Sequence, residues 1–269
     1  MGVLAPMNSE IQNLADEHRQ WLSSFPEQHL ANWERLFNTD EEAALTEAAV
    51  RRLLERNGVS VEPNEDLTGL EQRPDFRCFR DSALFYVEVT HISIAKACQT
   101  TGIDEQNTGV SAYRPLNNAV FEACRHKAKQ CGGARGPVLL AIGTWHGFAA
   151  MVSFDKTTVS WLLTGEPKLS WRIDSVTGQQ VGETHQVTEL YSAAFLRPDD
   201  AQEIGFARSS IAGVLLVANG LESVKPIGVL HPNPANDFDP GLLPEIEFGR
   251  VELDRNSKQL HVRWLKEND

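Results

Sequence analysis

The spacing of hydrophobic and polar positions changes along the chain, and it predicts helices first. Between residues 8 and 38, apolar residues recur three and four positions apart, and Pro26 divides this segment into two amphipathic helices. A third helix is predicted over residues 41–57, because Asp40 can cap its first turn and Gly58 can end it. The N-terminal part of the chain is therefore predicted to be helical.

Short apolar and alternating runs predict strands after residue 58. The predicted strands are 59–62, 75–80, 84–91, 138–142, 149–154, 158–163, 169–174, 211–217, 226–230, 245–252 and 259–265. Three segments interrupt them: an irregular polar loop over 92–114, a helix over 116–131 that ends at two glycines, and a short helix near 199–207. Strands mixed with helices predict an α/β fold.

These elements divide the chain into three predicted parts. Residues 1–39 form an N-terminal helical extension, residues 40–145 form a core, and residues 146–269 form a β-rich C-terminal extension packed on the core. The C-terminal extension is a candidate surface for a protein partner or for a second copy of the chain.

The composition is that of a soluble globular protein. Of the 269 residues, 41% are hydrophobic and 23% are charged. No apolar run reaches the roughly 18 residues of a membrane helix, and the first residues lack a cationic region followed by an apolar stretch. The four cysteines show no C-x-x-C spacing, which predicts reduced thiols. We therefore expect a cytoplasmic protein with no membrane partner.

The net charge of −12 argues against a protein that coats nucleic acid without specificity. The charge is uneven along the chain. Residues 51–135 contain 12 Lys and Arg against 11 Asp and Glu, whereas the remainder contains 13 against 26. Any site for a polyanion is therefore expected to be a local groove.

Two acids stand out in the predicted hairpin of residues 73–90. Asp75 enters its first strand, and Glu88 lies near the end of its second strand. Glu88 shares a strand face with Leu84 and Tyr86, where a lone carboxylate is costly to bury.

The two flanking helices also place polar groups toward the hairpin. At about 100° per residue, Glu47 falls within an apolar stripe of the helix 41–57. Lys127 and Gln130 fall within or beside the apolar arc of the helix 116–131, and Lys129 points roughly opposite. Carboxylates with one lysine nearby suit Mg²⁺ or Mn²⁺ and the hydrolysis of a phosphodiester bond.

Each of these residues also has an ordinary interpretation. Asp75 can be a residue that starts a strand, and Glu88 can be an edge-strand acid that faces solvent. Glu47 can be a solvated helix acid, and the Lys127 amine can extend past the core to water.

In their order along the chain, Glu47-x2-Val50-x3-Leu54-x3-Gly58, Pro74-Asp75 and Glu88-Val89-Thr90 resemble the PD-(D/E)XK, or restriction-endonuclease-like, nuclease superfamily. The resemblance implies an α-β-β-β-α-β core over residues 41–145. It implies that Asp75 and Glu88 hold Mg²⁺ or Mn²⁺, with the Val89 carbonyl as a third ligand. Glu47 would match the acid that several branches carry on the first core helix.

One position departs from the family pattern. The family lysine normally stands two residues after the second acid, where this chain has Thr90. Some branches carry it on the following helix, and Lys127 with Gln130 resembles such a migrated lysine and its companion glutamine. Lys96 is a weaker substitute for the missing lysine. Lys96, His91 and Lys129 are also candidates for substrate binding, with surface or structural roles as the alternatives.

The pattern as a whole predicts a metal-dependent nuclease that cleaves DNA in preference to RNA. Thr90, the net charge and the large C-terminal extension leave a second hypothesis open. In that hypothesis the chain is a catalytically degenerate nuclease-fold protein that acts as a binding or scaffold subunit.

Overall fold

The computed structural model describes residues 4–67, 71–104, 113–198, 204–254 and 259–265. The helices are α1 (Leu4–Leu22), α2 (Glu27–Thr39), α3 (Glu41–Arg56), α4 (Ile94–Thr101), α5 (Asn117–Cys131), α6 (Gly147–Ser153) and α7 (Lys156–Thr164). The strands are β1 (Ser60–Pro63), β2 (Phe76–Arg80), β3 (Ala83–His91), β4 (Val138–Thr144), β5 (Glu166–Ile173), β6 (Gln180–Glu189), β7 (Leu196–Pro198), β8 (Ile204–Phe206), β9 (Gly213–Ala218), β10 (Ile227–Leu230), β11 (Glu247–Asp254) and β12 (Gln259–Leu265).

Eight of the strands form one large mixed sheet in the order β1-β2-β3-β4-β9-β10-β11-β12. Its central pairs β3–β4 and β4–β9 are parallel, and so is β10–β11, whereas the other pairs are antiparallel. The strands β5–β6 and β7–β8 form two separate two-stranded sheets. The chain is therefore of the mixed α/β class, and β9–β12 from the C-terminal part extend the sheet that β1–β4 begin.

Helices cover both faces of this sheet because its central strands alternate between two apolar layers. Phe85 of β3 packs with Leu54 of α3 on one face. Leu140 of β4 packs with Val120 of α5 on the other. The hairpin β2–β3 therefore lies between α3 and α5, which are the two helices that carry the polar groups of interest.

A buried polar network holds α3 against the ends of β4 and β9. Thr46 Oγ1 accepts hydrogen bonds from Trp145 Nε1 at 3.2 Å and from Asn219 Nδ2 at 3.0 Å. Gly143 permits this approach, since a Cβ there would lie 2.5 Å from Thr46 Cγ2. These contacts fix the helix turn that carries the next residue, Glu47.

The sequence-based prediction of strands over 149–154 and 158–163 is wrong, because these residues lie in α6 and α7. The Asp155 side chain accepts from the backbone N–H groups of Thr157 and Thr158, which starts α7. The ring nitrogen of His146 accepts from Ala149 N–H and starts α6. Apolar runs of this length fit a strand or a buried helix equally well, and only the caps distinguish them.

Two other local predictions also need correction. The segment 92–114 contains helix α4, which Ser93 caps by accepting from the Lys96 N–H. The predicted helix near 199–207 includes the strand β8, and its residues 199–203 lie outside the described part of the chain. No described helix is long and apolar enough to cross a membrane.

Candidate active site

The hairpin β2–β3 places Asp75 opposite Glu88. Its register pairs Phe76 with Val87, and one step further along both strands brings Asp75 across from Glu88. Asp75 Oδ2 accepts a hydrogen bond of 2.6 Å from the Val89 N–H. The Asp75 carboxylate is thus anchored to the backbone of β3, beside Glu88.

Glu88 is fully buried, and only one of its two carboxylate oxygens has a hydrogen-bond partner among the described residues. Its Oε1 accepts a 2.6 Å hydrogen bond from Lys127 Nζ on α5. Its Oε2 is buried and has no hydrogen-bond partner in the described structure. Burial, with the nearby Asp75 charge, raises the pKa of Glu88 to about 8, although Lys127 opposes the shift.

Lys127 connects α5 to this acid pair. Its side chain is 29% exposed, so the amine contacts Glu88 while part of the side chain faces solvent. Lys127 Nζ also donates to Gln130 Oε1 at 3.3 Å, one helix turn further on. Burial lowers the pKa of Lys127, but the Glu88 charge and hydrogen bond outweigh it, so this pKa lies above its usual value.

The remaining acids also have perturbed protonation. Burial raises the pKa of Asp75 to about 6, against the opposing effects of the Val89 N–H and Lys127. Burial and then the Asp75 charge raise the pKa of Glu47 well above its usual value. Glu65, in the loop after β1, raises both pKa values further. The charges of neighbouring carboxylates therefore help to raise the pKa values of Glu47, Asp75 and Glu88 at this end of the sheet.

A cavity of about 220 Å³ opens beside three of these acids. Glu47, Glu65 and Asp75 line one part of it, and aromatic side chains of the N-terminal helices line another. These aromatic residues are His18, Trp21 and Trp33. The cavity lining contains no Lys or Arg among the described residues. The cavity therefore combines negative charge with aromatic surface.

Sequence analysis missed the contribution of Glu65 and of the N-terminal helices. Glu65 accepts from Asn32 Nδ2 at 2.8 Å, so the loop after β1 is tied to α2. His29 Nδ1 lies 3.8 Å from the other Glu65 oxygen. Because Glu65 stands in a polar loop with no periodic pattern, its position depends on these long-range contacts, and only the cluster Asn64-Glu65-Asp66 could have drawn attention to it.

The other sequence-predicted residues lie around the cluster. His91 Nε2 is 3.5 Å from Asp40 Oδ1, at the start of α3. Lys96 is exposed on α4, where its amine donates to Gln99 Oε1 at 3.4 Å, and Lys129 is exposed on α5. Val89 is buried, with its N–H on Asp75. The structure thus brings Asp75, Glu88, Lys127, Gln130 and Glu47 together, and leaves Lys96 and Lys129 on the surface.

In the described part of the chain, no three His, Cys, Asp or Glu side chains are grouped so as to hold a metal ion by themselves. Glu88, through its buried Oε2, and the neighbouring Asp75 could supply two carboxylates, and Mg²⁺ is commonly bound by one or two carboxylates together with water and phosphate oxygens. Comparison of the chain with family models, with curated proteins and with solved structures found no match.

Proposed function

We propose that this chain is a metal-dependent nuclease with a PD-(D/E)XK-type core, and that DNA is its substrate in preference to RNA. The observation that carries the proposal is the meeting of two strand acids with a helix lysine: Lys127 Nζ lies 2.6 Å from Glu88 Oε1, and Asp75 is anchored beside them. Lys127 is 39 residues from Glu88 along the chain, and Asp75 lies on the opposite strand of the hairpin from Glu88. Their meeting is therefore a tertiary contact and not an ion pair between neighbours on one helix.

The order of elements supports the same proposal. Helix α3, strands β1, β2 and β3, helix α5 and strand β4 follow one another as the α-β-β-β-α-β core of that superfamily requires, with α4 added before α5. Glu47 lies on the first of these helices and lines the same cavity as Asp75. In this proposal Lys127, on the helix α5, would serve as a migrated family lysine in place of the one that is absent at Thr90.

The two carboxylates fit a divalent cation. The unpartnered Glu88 Oε2 is a buried acceptor that a hydrogen bond or a cation must satisfy, because an orphaned carboxylate oxygen is costly. Mg²⁺ or Mn²⁺ would be held by Asp75 and Glu88, with the Val89 carbonyl as a third ligand. When bound there, the ion would polarise the scissile phosphate and acidify water.

The residues of the chain have separate roles in this proposal. Lys127 keeps its proton, so its ammonium neutralises negative charge that develops on the phosphate and orients the attacking water. Gln130 holds the Lys127 amine through the 3.3 Å hydrogen bond. Burial raises the pKa of Glu47 well above its usual value, which favours its protonated form, and in that form Glu47 can donate a hydrogen bond toward the cavity.

The test is cleavage of labelled single- and double-stranded DNA and RNA with Mg²⁺ or Mn²⁺. We expect cleavage by the wild-type protein that EDTA abolishes. Asp75→Asn and Glu88→Gln should abolish it, and Lys127→Ala should lower its rate by about 10²–10⁴-fold, the range of a positioned acid–base or charge-stabilising group. Gln130→Ala should have a smaller effect, because it removes only a support of Lys127.

Arg125→Ala is the matched control for Lys127→Ala. Arg125 lies on the same helix, but it is exposed and paired with Glu122, so its removal should leave the rate near that of the wild type. Equal cleavage by all variants would indicate a contaminating nuclease and overturn the proposal. Calorimetric titration with Mn²⁺ addresses the second hypothesis: binding that depends on Asp75 and Glu88 without cleavage of any substrate would favour a degenerate scaffold.

A further inference from the structure

The hairpin of β5 and β6 exposes an apolar stripe. Leu169, Trp171 and Ile173 alternate along β5, so their side chains share one face, and they are 67%, 51% and 59% exposed. The hairpin lies outside the eight-stranded sheet, and it meets the rest of the chain near helix α7. An isolated two-stranded hairpin is marginally stable in water, and a contiguous exposed apolar stripe marks an interaction surface.

The two edges of this hairpin differ. Near Gly182, one residue of β5 lies opposite three of β6, so β6 carries an irregularity that disturbs its outer edge. The strand β6 also carries Glu183 and Glu189. Bulges, charge and proline are the usual protections against edge pairing; β5 also carries charged residues and Pro167, but the extra residues that break the regular spacing lie on β6. The β5 edge therefore keeps the regular spacing that pairing with another strand needs.

The charge of the hairpin argues against nucleic acid as the occupant. Its strands and turn carry two cationic residues, Lys168 and Arg172, against four Asp and Glu residues, and Lys168 is already paired with Glu189. A polyanion would therefore meet net negative charge.

We propose that β5 pairs in antiparallel fashion with β5 of a second copy of the chain, with Leu169 on the two-fold axis. In this register Glu166 lies opposite Arg172 of the second copy, and the symmetry repeats the pair. Trp171 lies opposite Pro167, and the apolar side chains of both copies share one face. In the resulting four-stranded sheet the two stripes pack side by side across the new strand pair, which shields part of their apolar surface from water.

The neighbouring registers are disfavoured by like charges. Moving the axis to residue 168 places Lys168 against itself, and moving it to Ser170 places Lys168 opposite Arg172. Registers that place the axis between two residues put the apolar stripes of the two copies on opposite faces of the sheet. With the axis at Leu169, opposite charges pair and the apolar stripes of both copies lie on the same face of the sheet.

The test measures the molecular mass of the full chain in solution by sedimentation equilibrium over a wide concentration range. We expect a dimer for the wild type. Glu166→Arg and Arg172→Glu each create two like-charge pairs, so each should raise the dimer dissociation constant by about tenfold or more. The double variant Glu166→Arg/Arg172→Glu restores the pairs in reverse and should return the constant to near the wild-type value.

Cross-linking tests the register independently. In a Cys98→Ser background, Leu169→Cys brings two sulfurs together at the axis and should form a disulfide-linked dimer under mild oxidation. Ile173→Cys is the matched control, because the proposed register separates its two copies by roughly 25 Å. A chain that stays monomeric overturns the proposal, as does a dimer that ignores both charge reversals or that cross-links equally at both positions. A monomer whose hairpin variants lose nucleic-acid binding would assign the stripe to that partner instead.

Discussion

Replacement of Glu88 by glutamine should change how the stability of the metal-free protein depends on pH. Glutamine keeps the size of the side chain and one acceptor for the Lys127 amine, but it cannot ionise. In the wild type, burial raises the pKa of Glu88 from 4.5 to about 8. The substitution Glu88→Gln therefore removes one buried ionisable group and should leave the hairpin β2–β3 intact.

The sign of the effect follows from proton binding. Between pH 4.5 and 8 the unfolded chain has an ionised Glu88, whereas the folded chain still holds the proton. The stability from this group is fully present below pH 4.5, and it is lost as the pH rises toward 8. At about 1.4 kcal/mol per pH unit, and with the loss levelling off near pH 8, the wild type should lose about 2 kcal/mol from pH 6 to pH 8 relative to Glu88→Gln.

The assay is urea unfolding in EDTA, followed by tryptophan fluorescence at pH 6, 7 and 8 and constant ionic strength. The difference in the free energy of unfolding between the two proteins reports the titration of Glu88 together with its electrostatic coupling to Asp75 and Glu47. Glu122→Gln is the control for the substitution itself, because Glu122 is a half-exposed acid on the same helix as Lys127. A pH-independent difference for Glu88→Gln would refute the reasoning, since it would mean that Glu88 is already ionised beside Lys127 at pH 6.

Four further outcomes are expected. At pH 8, saturating Mg²⁺ should raise the thermal midpoint of the wild type and leave that of Glu88→Gln unchanged, as measured by calorimetry. Burial lowers the pKa of His18 to about 3, so the wild type should lose stability relative to His18→Gln as the pH falls from 6.5 toward 4, which urea unfolding can detect. Phe85→Ala should cost about 3–5 kcal/mol, whereas Phe206→Ala, at a site 44% exposed, should cost far less. Asp155→Ala removes the N-cap of α7 and should cost about 1 kcal/mol in the same assay.

The inward-facing positions of Glu47 and Lys127 could be predicted from the sequence, because each residue interrupts the apolar stripe of an amphipathic helix. Glu47 interrupts the apolar stripe of α3, and Lys127 interrupts that of α5. A polar residue on a buried face needs a partner, so the pattern alone predicted that these groups meet near the hairpin. The 2.6 Å contact between Lys127 and Glu88 agrees with that prediction, while the catalytic role of the contact stays a proposal.

The segment 146–164 shows where local patterns fail. Its apolar runs are too short to separate a strand period from a helix period, and the structure makes them helices that start at side-chain caps. Of the hairpin β5–β6, the predicted strand over 169–174 overlaps β5. The strand β6 was not predicted, because its sequence QVGETHQVTE has no regular alternation of apolar and polar residues.

The sequence by itself determined the helical start, most of the strands of the large sheet and the inward-facing acids and lysine, because each depends on the spacing of neighbouring residues. Only the tertiary structure decided that β9–β12 continue the same sheet, that Glu65 joins Glu47 and Asp75 around one cavity, and that Glu88 Oε2 lacks a hydrogen-bond partner among the described groups. Those features depend on contacts between residues far apart in the chain. The packing of several elements sets the distances between these side chains, and their burial sets their protonation.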